Sequence, residues 1–228
     1  MGHGSMQGVP MFCGHDLIAT LDIINEAFLY GQPLSVAHRE AFAEQIISRQ
    51  EKPNPVAGAP VFTNGKSLDL FSGETLKTRF ATRHILQEEA ARALVLLTAR
   101  TVDVREALER VNKSLVQACF AQSCVKGECA HAMIGLMRYL AAGGLGEPEK
   151  RLDIHLKTLS QRRNGSGDWG HFPFYYTLLA LTEIDLPAAV QEMRYAAPAC
   201  ERRLRRVSSD DKISQRRRAI MQRALSRC

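Results

Sequence analysis

The run His84-Ile85-Leu86-Gln87-Glu88-Glu89-Ala90-Ala91-Arg92-Ala93-Leu94-Val95-Leu96-Leu97 sets Leu86, Ala90, Ala93, Leu94 and Leu97 on one stripe at helical spacing. Its last turn is echoed by Leu136-Met137-Arg138-Tyr139-Leu140 and by Thr177-Leu178-Leu179-Ala180-Leu181. Each of these apolar helices follows a more polar one: residues 35–50 lead to 74–98, 103–122 to 129–142, and 148–163 to 172–184. A helical hairpin cannot bury its own apolar face, so three units at 35–98, 103–142 and 148–184 predict stacking. No segment longer than a few residues alternates with period two. The expected fold class is therefore all-α: stacked helical hairpins in a partial or small double layer, with the more apolar second helices inside.

Outward from these units the punctuation agrees. Leu17, Leu21, Ile24 and Phe28 mark a first helix ending near Gly31-Gln32-Pro33, and Ser35 is the expected N-cap of the next. Asp103 suits the first turn of a helix, Gly143-Gly144 ends one and Pro148 opens another. Pro187 begins a helix that Pro198 is expected to kink or split. Residues 51–73 carry three prolines and three glycines with little periodicity, which predicts a long loop placed to act as a lid. Residues 207–228 form a basic C-terminal helix. Gly2 to Met6 read as a cloning remnant, leaving a single domain over 7–228.

With 228 residues and 45% apolar content the chain can bury a sizeable core. It has no run of 18 apolar residues, so no transmembrane segment is expected, and Asp16, Asp22 and Glu26 interrupt any signal-peptide pattern. The expectation is a cytoplasmic protein with reduced thiols, in which Cys119 and Cys200 are small buried apolar residues. The net charge of +6 is uneven. From Arg194 to Cys228 eleven Arg and Lys face three acidic residues, a local balance of +8, which leaves −2 for the rest. A nucleic acid or acidic protein partner would therefore meet the basic C-terminus. The alternative for Arg202 to Arg206 and Arg216 to Arg218 is a solvated helix face.

Candidate chemistry gathers on the inner helices. His84 and Glu88 lie opposite Leu86, Ala90 and Leu97; His131 and Arg138 lie opposite Met133, Leu136 and Met137; His171 precedes the third inner helix. If the layer curves, these ends point the same way, and His84, Glu88, His131 and His171 form a catalytic set near neutral pH. Solvated or capping histidines are the alternative. Cys124, Cys129 and His131 make a Cys-x4-Cys-x-His cluster at a helix start, suited to zinc or to a reactive thiol, with a fourth ligand from His84 or His171. Trp169 and the aromatic run Phe172 to Tyr176 either fill core or, through Tyr175, line a pocket.

The third hairpin reads Gln161-Arg162-Arg163-Asn164-Gly165-Ser166-Gly167-Asp168-Trp169-Gly170. This resembles the Gln…Gly-x-Trp motif of the squalene-cyclase and protein-prenyltransferase repeats. The resemblance implies a closed α/α toroid, with the Gln amide tying helix ends and the indole covering the turn. It spans one hairpin of three. The chain has no Asp-x-Asp-Asp acid motif and no Asp-x-Cys zinc pattern, so the resemblance implies architecture and not activity. Two functions follow as expectations. One is a pocket for an apolar or partly anionic small molecule, with Arg138, Tyr175 and Trp169 as binding residues and zinc as the candidate cofactor. The other is a non-catalytic module that meets its partner through the C-terminus.

Overall fold

The computed structural model describes residues 16–49, 69–207 and 209–228. Among them are nine α-helices and no strand: α1 (Leu17–Leu29), α2 (Val36–Ser48), α3 (Arg79–Leu96), α4 (Val102–Val116), α5 (Cys129–Ala141), α6 (Pro148–Ser160), α7 (Phe174–Glu183), α8 (Pro187–Leu204) and α9 (Lys212–Leu225). The protein is all-α. No described helix is long and apolar enough to cross a membrane.

The helices differ in how much of their surface is buried. α4 buries one stripe (Val104, Ala107, Val111, Leu115) and α6 another (Leu152, His155, Leu156, Leu159). By contrast α5 is buried at every residue from Ala132 to Leu140, and α7 at every residue from Tyr176 to Thr182. Packing runs α1 to α3, α3 to α5, α5 to α7 and α7 to α9, with α4, α6 and α8 laid against α3, α5 and α7. Arg216 of α9 then reaches back to Asp22 and Glu26 of α1.

Several local expectations hold. Ser35 caps α2 by accepting from the His38 N–H, Asp103 lies in the first turn of α4 and Pro148 opens α6. Others need correction. α3 starts at Arg79 rather than near Glu74, because Asp69 to Thr75 fold into a turn closed by one β-bridge and Thr78 caps the helix. The helix expected over 103–122 ends at Val116. Ala118 is extended, and a short 3-10 turn, Cys119–Gln122, follows. Pro198 does not split α8, since buried Met193, Ala196, Ala199 and Cys200 on both sides of it favour continuing the helix. Most of the loop expected at 51–73, and with it the lid, lies outside the described residues.

Candidate metal centre

The polar faces of the inner helices meet one another. Arg138 of α5 donates to Glu183 at 2.9 Å from both Nε and Nη2, to Asn25 Oδ1 at 2.8 Å, and through Nη1 to Glu89. Arg92 donates to Asn25 at 2.9 Å and to Glu183 at 2.6 Å, while the Tyr176 hydroxyl donates to Glu89 at 2.5 Å. Two guanidinium groups thus face two carboxylates, and a neutral amide and phenol satisfy the remaining positions. Burial alone would raise the Glu183 pKa, but Arg138 and Arg92 hold it below the ordinary carboxylate value. The same network leaves a cavity of about 30 Å³ beside Asn25, Glu89 and Tyr176, room for water rather than for an apolar ligand.

Glu88 is the exception at this centre. It is wholly buried, neither carboxyl oxygen has a partner, and burial followed by the charge of Glu89 pushes its pKa well above the ordinary value. Burial thus favours the protonated, uncharged form of this carboxyl. It fits only because α5 has a glycine opposite: a Cβ at Gly135 would fall on Glu88 Oε2.

A second cluster lies where the inner helices begin. Glu128, the residue before α5, accepts from the Lys77 N–H at 2.8 Å and from the Thr78 hydroxyl, so it helps to cap α3. Glu74, before α3, accepts from the Tyr175 N–H at 2.7 Å and so caps α7. His171 Nε2, just before α7, donates to the Val125 carbonyl at 2.8 Å. The starts of α3, α5 and α7 are therefore tied to one another, which brings His131 and His171 close enough to interact. Burial first, and then His171, lowers the His131 pKa against the opposing pull of Glu128. The His131 Nδ1 is buried without a partner.

Between α4 and α5 the chain repeats a pattern every five residues: Cys119-Phe120, Cys124-Val125, Cys129-Ala130. The second residue of each pair is buried, Phe120 and Ala130 completely and Val125 at 7% exposure. These three residues pin the loop to the bundle and leave the cysteines on its outer side. The backbone assists, with Cys124 N–H donating to the Cys119 carbonyl at 3.1 Å. Ser123 adopts φ 67°, a left-handed conformation uncommon for a residue with a side chain, and Gly127 at φ 53° completes the turn into α5. The three Sγ atoms lie within 4.8 Å of one another, and Cys119 and Cys129 are 3.6 Å apart. Two thiolates on one tetrahedral zinc, each at about 2.3 Å, stand about 3.8 Å apart, so this spacing fits a soft metal ion. The thiols differ in character. A hydrogen bond from the Lys126 backbone pulls the Cys124 pKa down, and burial pushes Cys129 up to about 12.

The sequence-predicted residues thus fall into separate groups. Cys124 and Cys129 do come together, but their third partner is Cys119 and not His131, whose ring nitrogens are outside the group. Cys119, expected to be buried, is exposed, because the 3-10 turn rotates it off the α4 stripe. His84 is wedged between Phe80 and Phe120, at ring-centroid distances of 4.4 and 5.0 Å, and burial lowers its pKa to about 4. Arg138 is held in the central network. Trp169 is fully buried and donates Nε1–H to Glu192 at 2.8 Å, so it serves the turn rather than a ligand. Tyr175 lies under Arg217, 4.5 Å from the guanidinium carbon. Sequence reasoning missed Asn25, Glu89, Arg92 and Glu183. The available signal was that the charges of Glu89, Arg92, Arg138 and Glu183, all on otherwise apolar helices, sum to zero.

The C-terminal arginines are largely occupied within the chain. Arg216 donates to Asp22, Glu26 and the Phe71 carbonyl, Arg217 to the Ser72 and Gly73 carbonyls, and Arg227 to the Thr182 and Ile184 carbonyls. Arg203 pairs with Asp168, while Arg205 and Arg206 stay exposed. Comparison with known protein families, curated proteins and solved structures finds no match to this chain.

Proposed function

We propose that this chain is a metal-binding helical protein that holds one soft divalent ion, zinc by preference, on Cys119, Cys124 and Cys129. The observation that carries this reading is the grouping of three sulfurs within 4.8 Å, with Cys119 and Cys129 at a spacing suited to tetrahedral coordination. Three protein ligands leave one coordination position for water or a small, partly anionic ligand, the arrangement that gives zinc Lewis-acid character. Glu128, Cys129 and His131 share the start of α5, and His171 stands beside them, so groups able to move a proton are near that position. At Cys129 the dipole of α5 works against the burial that raises its pKa.

The order of packing from α1 to α9, with Arg216 reaching α1, supports a further reading of the odd-numbered helices as a small closed ring like the toroid that the third hairpin resembles. The metal would then sit at the rim of the ring and not in its centre. The competing role, a module that grips a partner through its basic tail, has less to draw on, since Arg216, Arg217 and Arg227 already have partners in the chain.

Titration of the reduced protein with cobalt(II) tests the metal reading. One equivalent should produce an intense thiolate-to-cobalt charge-transfer band that zinc abolishes, and Cys124→Ser should weaken both the band and the affinity. Failure of any such band to form would overturn it.

A further inference from the structure

The three sulfurs differ in access. Cys119 is exposed, whereas Cys124 and Cys129 are half-buried. A disulfide needs its sulfurs about 2.0 Å apart, and those of Cys119 and Cys129 already stand at 3.6 Å. The backbones on either side are held by Phe120 and Ala130, both fully buried.

We propose that Cys119 and Cys129 are a redox-modification site: a peroxide converts them to an intramolecular disulfide, and an ion held by the three sulfurs is released. The release step rests on the metal reading above; the thiol chemistry rests on the sulfur geometry alone. The Cys119 sulfur, which solvent reaches, attacks hydrogen peroxide. An S–O bond forms, the O–O bond breaks, and one water leaves with the thiol proton, giving the sulfenic acid. The Cys129 sulfur then attacks that sulfenic sulfur. The S–S bond forms, the S–O bond breaks, and a second water leaves with the Cys129 proton. The two thiols lose two electrons and the peroxide gains them. Cys124 keeps its thiol, and a lone sulfur cannot retain an ion that three had shared.

The same segment ties three helices: Glu128 adjoins Cys129 and caps α3, and the carbonyl of Val125 holds His171 before α7.

The test exposes the full chain, metal-free and zinc-loaded, to hydrogen peroxide, followed by thiol alkylation and peptide mapping without reduction. The expected result is a peptide containing Cys119 linked to one containing Cys129, with Cys124 alkylated, one zinc released per link and full reversal by dithiothreitol. Cys119→Ser, at an exposed position, should abolish the link and leave the circular dichroism spectrum unchanged. A Cys119–Cys124 or Cys124–Cys129 link, or sulfinic acid at Cys119 beside an unreacted Cys129, overturns the proposal. If the link forms in a chain that never retains zinc, the redox site stands and the metal reading falls. If zinc binds but the peroxide-treated metal-free chain keeps both thiols separate, the metal reading stands and the redox site falls.

Discussion

The centre of the bundle and the start of α5 both collect chemically active side chains, and they differ in whether those side chains satisfy one another. At the centre, Arg92 and Arg138 are matched by Glu89 and Glu183, with Asn25 and Tyr176 completing the hydrogen bonds. Around the start of α5, three sulfurs have one another and the Lys126 backbone as neighbours, and no opposite charge among the described residues pairs with them. The contrast separates fold from function: a charge-matched network specifies how helices pack, whereas a cluster of like ligand atoms is suited to something from outside.

The largest effect is expected from breaking the centre. Arg138→Met leaves Glu89 and Glu183 buried with one guanidinium between them, and removal of one partner from a buried pair costs about 3–5 kcal/mol. Urea denaturation should show a correspondingly early midpoint or a chain that does not fold. Next in size, Gly135→Ala drives a methyl group into Glu88, an overpacking cost of about 1–3 kcal/mol. In the double variant with Glu88→Ala most of that loss should vanish, and additive losses would show that the two residues do not meet.

A pH titration sharpens the same comparison. Glu88 has a folded-state pKa raised above its ordinary value of 4.5, so the folded chain binds its proton more tightly than the unfolded chain does. Its contribution is full below that ordinary value and declines as pH rises, by up to about 1.4 kcal/mol per unit, until the folded-state pKa is passed. Glu183, shifted the other way, loses its contribution in acid. Glu88→Gln should therefore flatten the decline of stability on the alkaline side and leave the acid side unchanged. Unfolding midpoints from pH 4 to 9 check this. The smallest effect belongs to the other region: Cys119→Ser, at an exposed position, should change the stability of the metal-free protein by less than about 0.5 kcal/mol.

What could be read in the sequence follows the range of the interactions. Helix stripes, the Ser35 cap and the Pro148 start are set by residues within a few positions of one another, and they were legible. The start of α3 was not, because part of its cap is Glu128, 50 residues away from Thr78. Nor was the role of Arg138, whose partners Asn25 and Glu183 lie 113 and 45 positions away. Periodicity can show that an inner helix has a polar face. It cannot show whether that face meets a ligand or the polar face of another helix, and here it meets the latter. The cysteine group was half legible. Reading Cys119 as a small buried apolar residue hid the five-residue repeat that places it beside Cys124 and Cys129.

The difference between the two regions is open to one direct measurement, amide hydrogen exchange with and without zinc. Zinc should slow exchange in residues 119–131, and through Glu128 at the start of α3, while the central segments of α3, α5 and α7 around Glu89, Arg138 and Tyr176 exchange at unchanged rates. Protection at those central segments with none at the cysteine loop, or no protection anywhere, would contradict that difference.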